Sequence, residues 1–359
     1  LNTWAAAGIV ILVWDPKQLF QAGFQLSFAV VGTIALFLPF WRARVPARWI
    51  TDPMLPESLQ PRWKKAADAL LRFLALSLGV SLAAWLGSLP LIMRYFHLVT
   101  PISLAANAVV VHLGAGALAS AMGCIATHPF APDISILFAN SAWFLMWCMS
   151  ETSEWFGQLP MAWRYVRSPP LPAIIAYYLG LVIALTKPGS RPIARRSWMV
   201  GALGLTVAVS LWLQAREPPT LTLLTGGAGL SVFLHDGDTT WLIDPGKERN
   251  YHHRTREFLK SRGVNRLDHL ILTHADINHI GAATNVIDEF RPRQIWVNPL
   301  NQRSTSLRKV VAFAQTNQVE VAPLVAGENL PPWRIVHPTS GNRFSKADSG
   351  TLVMLLTNQ

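Results

Sequence analysis

Long apolar runs, broken by short polar connections, dominate the first 214 residues. GFQLSFAVVGTIALFLPFW from Gly23, FLALSLGVSLAAWLGSLPLIM from Phe73 and ISLAANAVVVHLGAGALASAMGCIA from Ile102 each approach the ~20 residues needed to cross hydrocarbon. Three weaker runs start at Ile134, Leu171 and Trp198, and Trp and Tyr near their ends suit interfacial anchors. The opening NTWAAAGIVILVW is too short to cross alone and reads as the end of another span or a re-entrant helix. Six runs in series predict a polytopic α-helical membrane domain over residues 1–216.

After REPP at Arg216–Pro219 the pattern changes to short strands with turns between them. LTLLT, LSVFLH and TTWLID come first, then a helical REFLKSRG, then HLILTH, with QIWV, VEVAPL, WRIVH and TLVMLL as further strands. Alternating strand and helix predicts a layered α/β domain over 217–359. Leu270 to Thr273 reads as a buried strand and Ile280 to Phe290 as the helix after it. The stretch LTHADINHIGAA, Leu272 to Ala283, therefore falls on a strand-to-helix loop. The chain opens on Leu1 inside apolar sequence and stops at Gln359 just after a strand, so both ends read as truncated.

Composition sharpens this division. Hydrophobic residues make up 51% and charged residues only 14%, too little charge for a wholly soluble enzyme of 359 residues. Cys124 and Cys148 both lie in apolar runs and read as packing residues, which excludes a disulfide framework or a CxxC zinc site. The formal charge of +11 falls mainly, +8, before residue 218 and is orientation signal, no evidence for nucleic acid by itself. Arg42 to Lys65 holds Arg42, Arg44, Arg48, Arg62, Lys64 and Lys65; Lys187 to Arg196 holds Lys187, Arg191, Arg195 and Arg196. Short loops rich in Arg and Lys stay cytoplasmic. Four crossings between them return the chain to the same side, and the run from Trp198 then leads it outward. Everything after Arg216 is expected outside the cytoplasm.

His274, Asp276, Asn278 and His279 stand at i, i+2, i+4 and i+5 on the loop, a spacing that lets side chains converge above a strand end. Two adjacent metals there would suit phosphodiester hydrolysis. The amide of Asn278 is a neutral, weaker ligand than a carboxylate, so a second metal would be held less firmly.

WLIDPG at Trp241–Gly246, the 28-residue interval to His274 and THADINHIGA resemble the metallo-β-lactamase domain of ComEC-type DNA-uptake proteins. The membrane half agrees independently. DPKQLFQAGFQLSFAVVG at Asp15–Gly32 and GSLPLIMRYFHLVTPISLAANAVVV resemble that family's competence-domain segments. The resemblance covers nearly the whole chain. It implies an inner-membrane channel for single-stranded DNA, embedded in membrane lipid, with an extracytoplasmic αββα metallo-β-lactamase-like nuclease domain. It also implies a cytoplasmic ATP-dependent translocase and outer DNA-receptor proteins as partners, in keeping with the lack of a GxxxxGK[ST] stretch.

By the family pattern His274, Asp276 and His279 are metal ligands for zinc or manganese, Asp276 and position 278 the candidate catalytic pair, and Asp244 a support from behind the ligands. This chain departs at Asn278, at Ala282 where a second glycine is usual, and at TGGAGLS, Thr225–Ser231, which lacks the family's acid. The departures point to a weakened or inactive nuclease. His252 and His253 are expected in solvent; His337, Asp348 and Ser349 are weak candidates near the active face. In the membrane half Asn107, His112 and Gln25 are the pore candidates, since ionisable or polar groups there are costly. Arg94 and His97 could meet phosphate at the outer mouth, and Glu151 and Glu154 reach water at a span's end. Two rivals to the channel reading stand: a membrane-anchored metal-dependent hydrolase (nuclease or phosphodiesterase), and a non-catalytic DNA-binding outer domain.

Overall fold

A computed structural model describes residues 2–46, 61–186, 201, 203–207, 209–210, 219–225, 229–237, 239–298, 304–327, 329–339 and 351–356. The basic loop Lys187 to Arg196, Asp348 and Ser349 lie outside these residues, and the run from Trp198 is described only in part. The chain forms two compact units, Leu1–Arg164 with Ser168–Ser210, and Tyr165–Arg167 with Leu211–Gln359.

The first unit is helical: α1 (Asn2–Trp14), a 3-10 turn (Pro16–Phe20), α2 (Ala22–Arg42), α3 (Arg62–Tyr95), α4 (Ser103–Thr127), α5 (Pro132–Gly157) and α6 (Leu171–Thr186). Among the described residues three helices, α2, α3 and α4, are long and apolar enough to cross a membrane. The sequence pattern predicts crossings at α5 and α6 as well. However, α5 carries Asp133, Glu151 and Glu154, and α6 has 16 residues, about 24 Å at 1.5 Å per residue. Helix α3 begins at Arg62, eleven residues before the apolar run at Phe73, because Arg62, Lys64 and Lys65 are good helix formers and extend it beyond the hydrocarbon. Helix α1 is too short to cross alone, as expected. It packs on α2, where the Trp4 indole donates to the Phe28 carbonyl at 3.2 Å.

Close backbone approach holds α2 against α3. A Cβ on Gly79 would stand 2.2 Å from the Trp41 ring, whose Nε1 donates to the Ala75 carbonyl at 2.8 Å. Phe37, Ala83, Tyr177, Leu181 and Leu185 form a buried cluster among α2, α3 and α6. The Tyr177 and Tyr178 hydroxyls donate to the Leu86 and Gly87 carbonyls at 2.8 and 2.7 Å. Apolar side chains such as Ile9, Phe20, Leu118, Met122, Ile125 and Trp143 face outward, as a lipid solvent requires.

The second unit is built on a six-stranded sheet in sequential order: β1 (Thr220–Thr225), β2 (Leu230–Asp236), β3 (Thr239–Ile243), β4 (His269–Leu272), β5 (Gln294–Val297) and β6 (Glu320–Pro323). β1 to β3 pair antiparallel and β3 to β6 parallel. A second sheet has the order β9 (Val353–Leu356), β8 (Trp333–His337), β7 (Asn329–Leu330). Leu234, Trp241, Ile243, Ile271, Trp333, Ile335 and Leu352 join in one core between the sheets. Helical stretch α7 comprises a turn Glu248–Asn250, a π-helical turn Tyr251–Thr255 and Arg256–Ser261. It is followed by α8 (Ile277–Ile280), α9 (Ala283–Phe290) and α10 (Thr305–Thr316). Leu270, Ile271 and Leu272 are fully buried, so the loop after β4 leaves a rigid strand end.

A partly buried polar knot ties this unit together. The Glu289 carboxylate accepts from Arg256 Nε at 2.8 and 2.7 Å, from Tyr165 Oη at 2.8 Å and from Tyr251 Oη at 2.9 Å. Asn265 clasps the Tyr165 backbone, accepting from its N–H at 2.7 Å and donating to its carbonyl at 2.8 Å. Burial alone would raise the Glu289 carboxyl; hydrogen bonds from Arg256, Tyr165 and Tyr251 outweigh it and hold the group below the ordinary range. No pattern in the sequence links Tyr165 to Glu289, 124 positions apart.

Candidate metal centre

β3 ends at Ile243, and the chain turns at Asp244 in a left-handed conformation, φ 51°, uncommon for a residue with a side chain. That turn aims the Asp244 carboxylate across to the loop after β4. Oδ1 accepts from the Thr273 N–H at 2.8 Å, and Oδ2 accepts from Thr273 Oγ1 and from His279 Nδ1, the latter at 3.0 Å. Asp244, Thr273 and His274 are all buried.

Hydrogen counting sets both imidazoles. Thr273 Oγ1 has one proton, committed to Asp244, so His274 Nδ1, 3.0 Å from the same oxygen, must donate to it. A carboxylate only accepts, so His279 Nδ1 carries a proton as well. Each ring therefore presents its lone pair on Nε2, the form in which neutral histidine binds metal. The two rings lie 3.9 Å apart between centroids. Asp244, His274 and His279 each offer a ligand atom, all within 4.8 Å of one another.

His274 and His279 supply two Nε2 donors that fit a divalent ion, and Asp244, whose oxygens accept from Thr273 and His279, supports them from behind. Asp244 is the buried carboxylate that orients His279, an arrangement typical of metal-ligating histidine. A divalent ion here would supply Lewis-acid activation of water and of a phosphoryl oxygen. The chain's own groups hold the donors in place. Thr273 O receives N–H bonds from Leu352 at 3.1 Å and Asn298 Nδ2 at 3.5 Å, and Ser304 Oγ donates to the Ala275 carbonyl at 3.3 Å.

Asp276 is not one of the three. It caps α8, and its oxygens accept from the Asn278 N–H at 2.9 Å and from Asn278 Nδ2 at 3.2 Å. The backbone N–H of Asn278 is the main reason that the Asp276 carboxyl lies below its usual range. The Asn278 amide thus donates to Asp276 where a carboxylate would repel it. Asp244, which the sequence suggests as support, hydrogen-bonds His279 Nδ1 within the same cluster; Thr273, which holds it, is not singled out by motif. Gly229, φ 134°, approaches the loop so closely that a Cβ would meet the Asn278 carbonyl oxygen at 2.6 Å. His252 and His253 are exposed, and His337 sits half-buried at the end of β8.

The pore candidates have local partners. Gln25 donates to the Leu19 carbonyl and accepts from Tyr95 Oη, both at 2.8 Å. His112 donates from Nδ1 to the Ala108 carbonyl at 2.9 Å, leaving Nε2 to accept from Ser77 Oγ at 3.4 Å. Asn107 is half-buried near the start of α4. His97 lies 3.0 Å from Ser168 Oγ, which donates to the Arg94 carbonyl.

Membrane-length helices followed by an α/β unit with a two-histidine, one-carboxylate cluster define a membrane protein with a metal-capable domain. Comparison places it more narrowly. The family model described as competence protein matches residues 1–191, more than half of the chain, and the model for the metallo-beta-lactamase superfamily matches residues 224–342. The chain belongs to the competence protein family. It is 22% identical over 383 aligned residues to ComE operon protein 3 of Bacillus subtilis (strain 168), covering 97% of this chain and 45% of that protein. It is 24% identical over 282 residues to competence protein ComA of Neisseria gonorrhoeae, covering 78% of this chain and 35% of that one. The chain thus spans less than half the length of either relative. A crystal structure titled as a metallo-beta-lactamase from Thermotoga maritima aligns at a TM-score of 0.30 with 17% identity, covering 39% of this chain and 73% of that one.

Proposed function

We propose that this chain forms the inner-membrane channel through which single-stranded DNA enters during natural transformation, with its second unit outside the cytoplasm as a weak, one-ion phosphodiesterase. The observation that carries this is the convergence of Asp244, His274 and His279 in a unit that follows competence-family membrane helices. Both curated relatives are competence proteins by name, which supports DNA uptake as the process. The Arg- and Lys-rich connections support an outer location for everything after Arg216.

Two imidazoles and one carboxylate favour zinc over manganese, which prefers oxygen-rich sites. Asn278 removes the charge that a second ion would need, which favours weak catalysis and also supports the rival reading of a non-catalytic outer domain. A cytoplasmic ATP-dependent translocase and outer DNA-receptor proteins complete the proposed machinery, since the chain has no phosphate-binding P-loop.

The test is metal content and DNA cleavage by the full chain and by Asn278→Asp. One ion per chain with slow cleavage, rising to two ions and at least tenfold faster cleavage in the variant, is the expected result. Robust two-ion cleavage by the unaltered chain would overturn the weakened-site reading. For the channel, uptake must fail when the membrane half is deleted; retained uptake would leave only the anchored-hydrolase rival.

A further inference from the structure

The segment KERNYHHR, Lys247 to Arg254, continues directly from the turn that carries Asp244. Its start is pinned to the metal loop: Gly246 N–H donates to the His279 carbonyl at 2.8 Å, and Ala282 N–H donates to the Gly246 carbonyl at 2.9 Å. Its far end is pinned too, by Tyr251 on Glu289 and by Thr255 Oγ1 on the Pro245 carbonyl at 3.2 Å. The π-helical turn widens the helix here, a distortion often found at functional sites. Tyr251 and Thr255 both face inward and are buried, while Arg249, His252, His253 and Arg254 are exposed. Arg254 also donates to the Thr225 carbonyl at the end of β1, which fixes its guanidinium there.

Some cations of this unit are paired and others are not. Arg256, Lys260 and Arg293 each pair with a carboxylate. Among the described residues, Lys247, Arg249 and Arg254 do not, and Glu248 is the single acid between them. Exposed cations gathered in one short segment attract an anionic strand.

We propose that Lys247, Arg249 and Arg254, with His252 and His253, form a track that holds the phosphate backbone of a nucleic-acid strand and leads it to the Asp244–His274–His279 centre. This deepens the function proposed above and rests on its placing a phosphodiester at that centre. The track reads charge, and so is indifferent to base sequence.

The test uses the full chain in nanodiscs of zwitterionic lipid, with EDTA present so that binding is read without any metal chemistry. The probe is a fluorescein-labelled single-stranded oligonucleotide, followed by anisotropy against NaCl concentration. Changing Lys247, Arg249 and Arg254 together to Gln is expected to weaken binding at least tenfold at low salt. It should also flatten the slope of log affinity against log salt by about 2, three contacts at roughly 0.7 each. Arg249→Gln alone should remove about one third of that slope change, which guards against a misfolded triple variant. A control triple, Arg266, Arg291 and Arg293 to Gln, removes equal charge before the other ends of β4 and β5. Equal weakening in track and control variants, or none in the track variant, overturns the track. Because cleavage is not measured, an inert metal centre would sink the hydrolase reading and leave this result standing.

Discussion

His279 Nδ1 lies 3.0 Å from Asp244 Oδ2, joining two loops 35 residues apart at the ends of neighbouring parallel strands. The contact orients one imidazole and, through the proton it uses, decides which nitrogen that ring offers to a metal.

Asp244→Asn should weaken zinc affinity about 10–100-fold, the usual effect of losing a carboxylate behind or beside a metal-binding histidine. Competition with a chromophoric chelator measures this directly. Affinity within twofold of the unaltered chain would remove Asp244 from the site.

Thr273→Val keeps the shape of the side chain and deletes the hydroxyl that donates to Asp244 and accepts from His274. Metal affinity should fall, and Thr273→Ser should restore most of it, because the hydroxyl is what sets the His274 tautomer. Full affinity in Thr273→Val with a loss in Thr273→Ser would show that the methyl group's packing matters instead.

Gly229→Ala should displace the ligand loop, since the added carbon has no room beside the Asn278 carbonyl and the φ of 134° disfavours a side chain. A stability loss of about 1–3 kcal/mol together with weakened metal binding is expected. Thermal unfolding with and without zinc reads both.

Glu289→Gln should destabilise the second unit by about 2–3 kcal/mol, discounted from the full figure for a buried pair because Arg256 is partly exposed. The Glu289 carboxyl is lower in the folded chain than in the unfolded one. Its contribution is therefore fully present above the unfolded value, near pH 4.3, and is lost as pH falls through the lower folded value. The difference in stability between the unaltered chain and the variant should hold steady from pH 7 to about pH 5 and shrink below about pH 4. A difference that does not change with pH would mean that Glu289 is held by packing and not by charge.

Much of this protein is legible in periodicity. Strands β1 to β6 fall where alternation and short apolar runs put them, because burial against a neighbouring sheet or helix leaves a period of two or a solid apolar block in the chain. Helices α2, α3 and α4 follow from length and hydropathy. The length of α3 does not, since Arg62 to Lys65 is polar and yet helical, and α5 and α6 are too polar or too short to be decided by the same rule. In the loop, His274 and His279 could be picked out by residue type and spacing. The exclusion of Asp276 from the trio could not, because it depends on the Asn278 amide turning toward that carboxylate.

The amino-acid sequence alone determined the division into apolar helices and an α/β unit, the order of the strands and the presence of metal-binding residue types on one loop, because these are properties of local composition and period. Only the tertiary structure decided that Asp244 bonds His279 directly, that Thr273 sets the histidine protons, and that Tyr165 reaches Glu289. Those relations join residues brought together by parallel strand pairing and by burial, and hydrogen-bond geometry across such distances in the chain leaves no periodic trace.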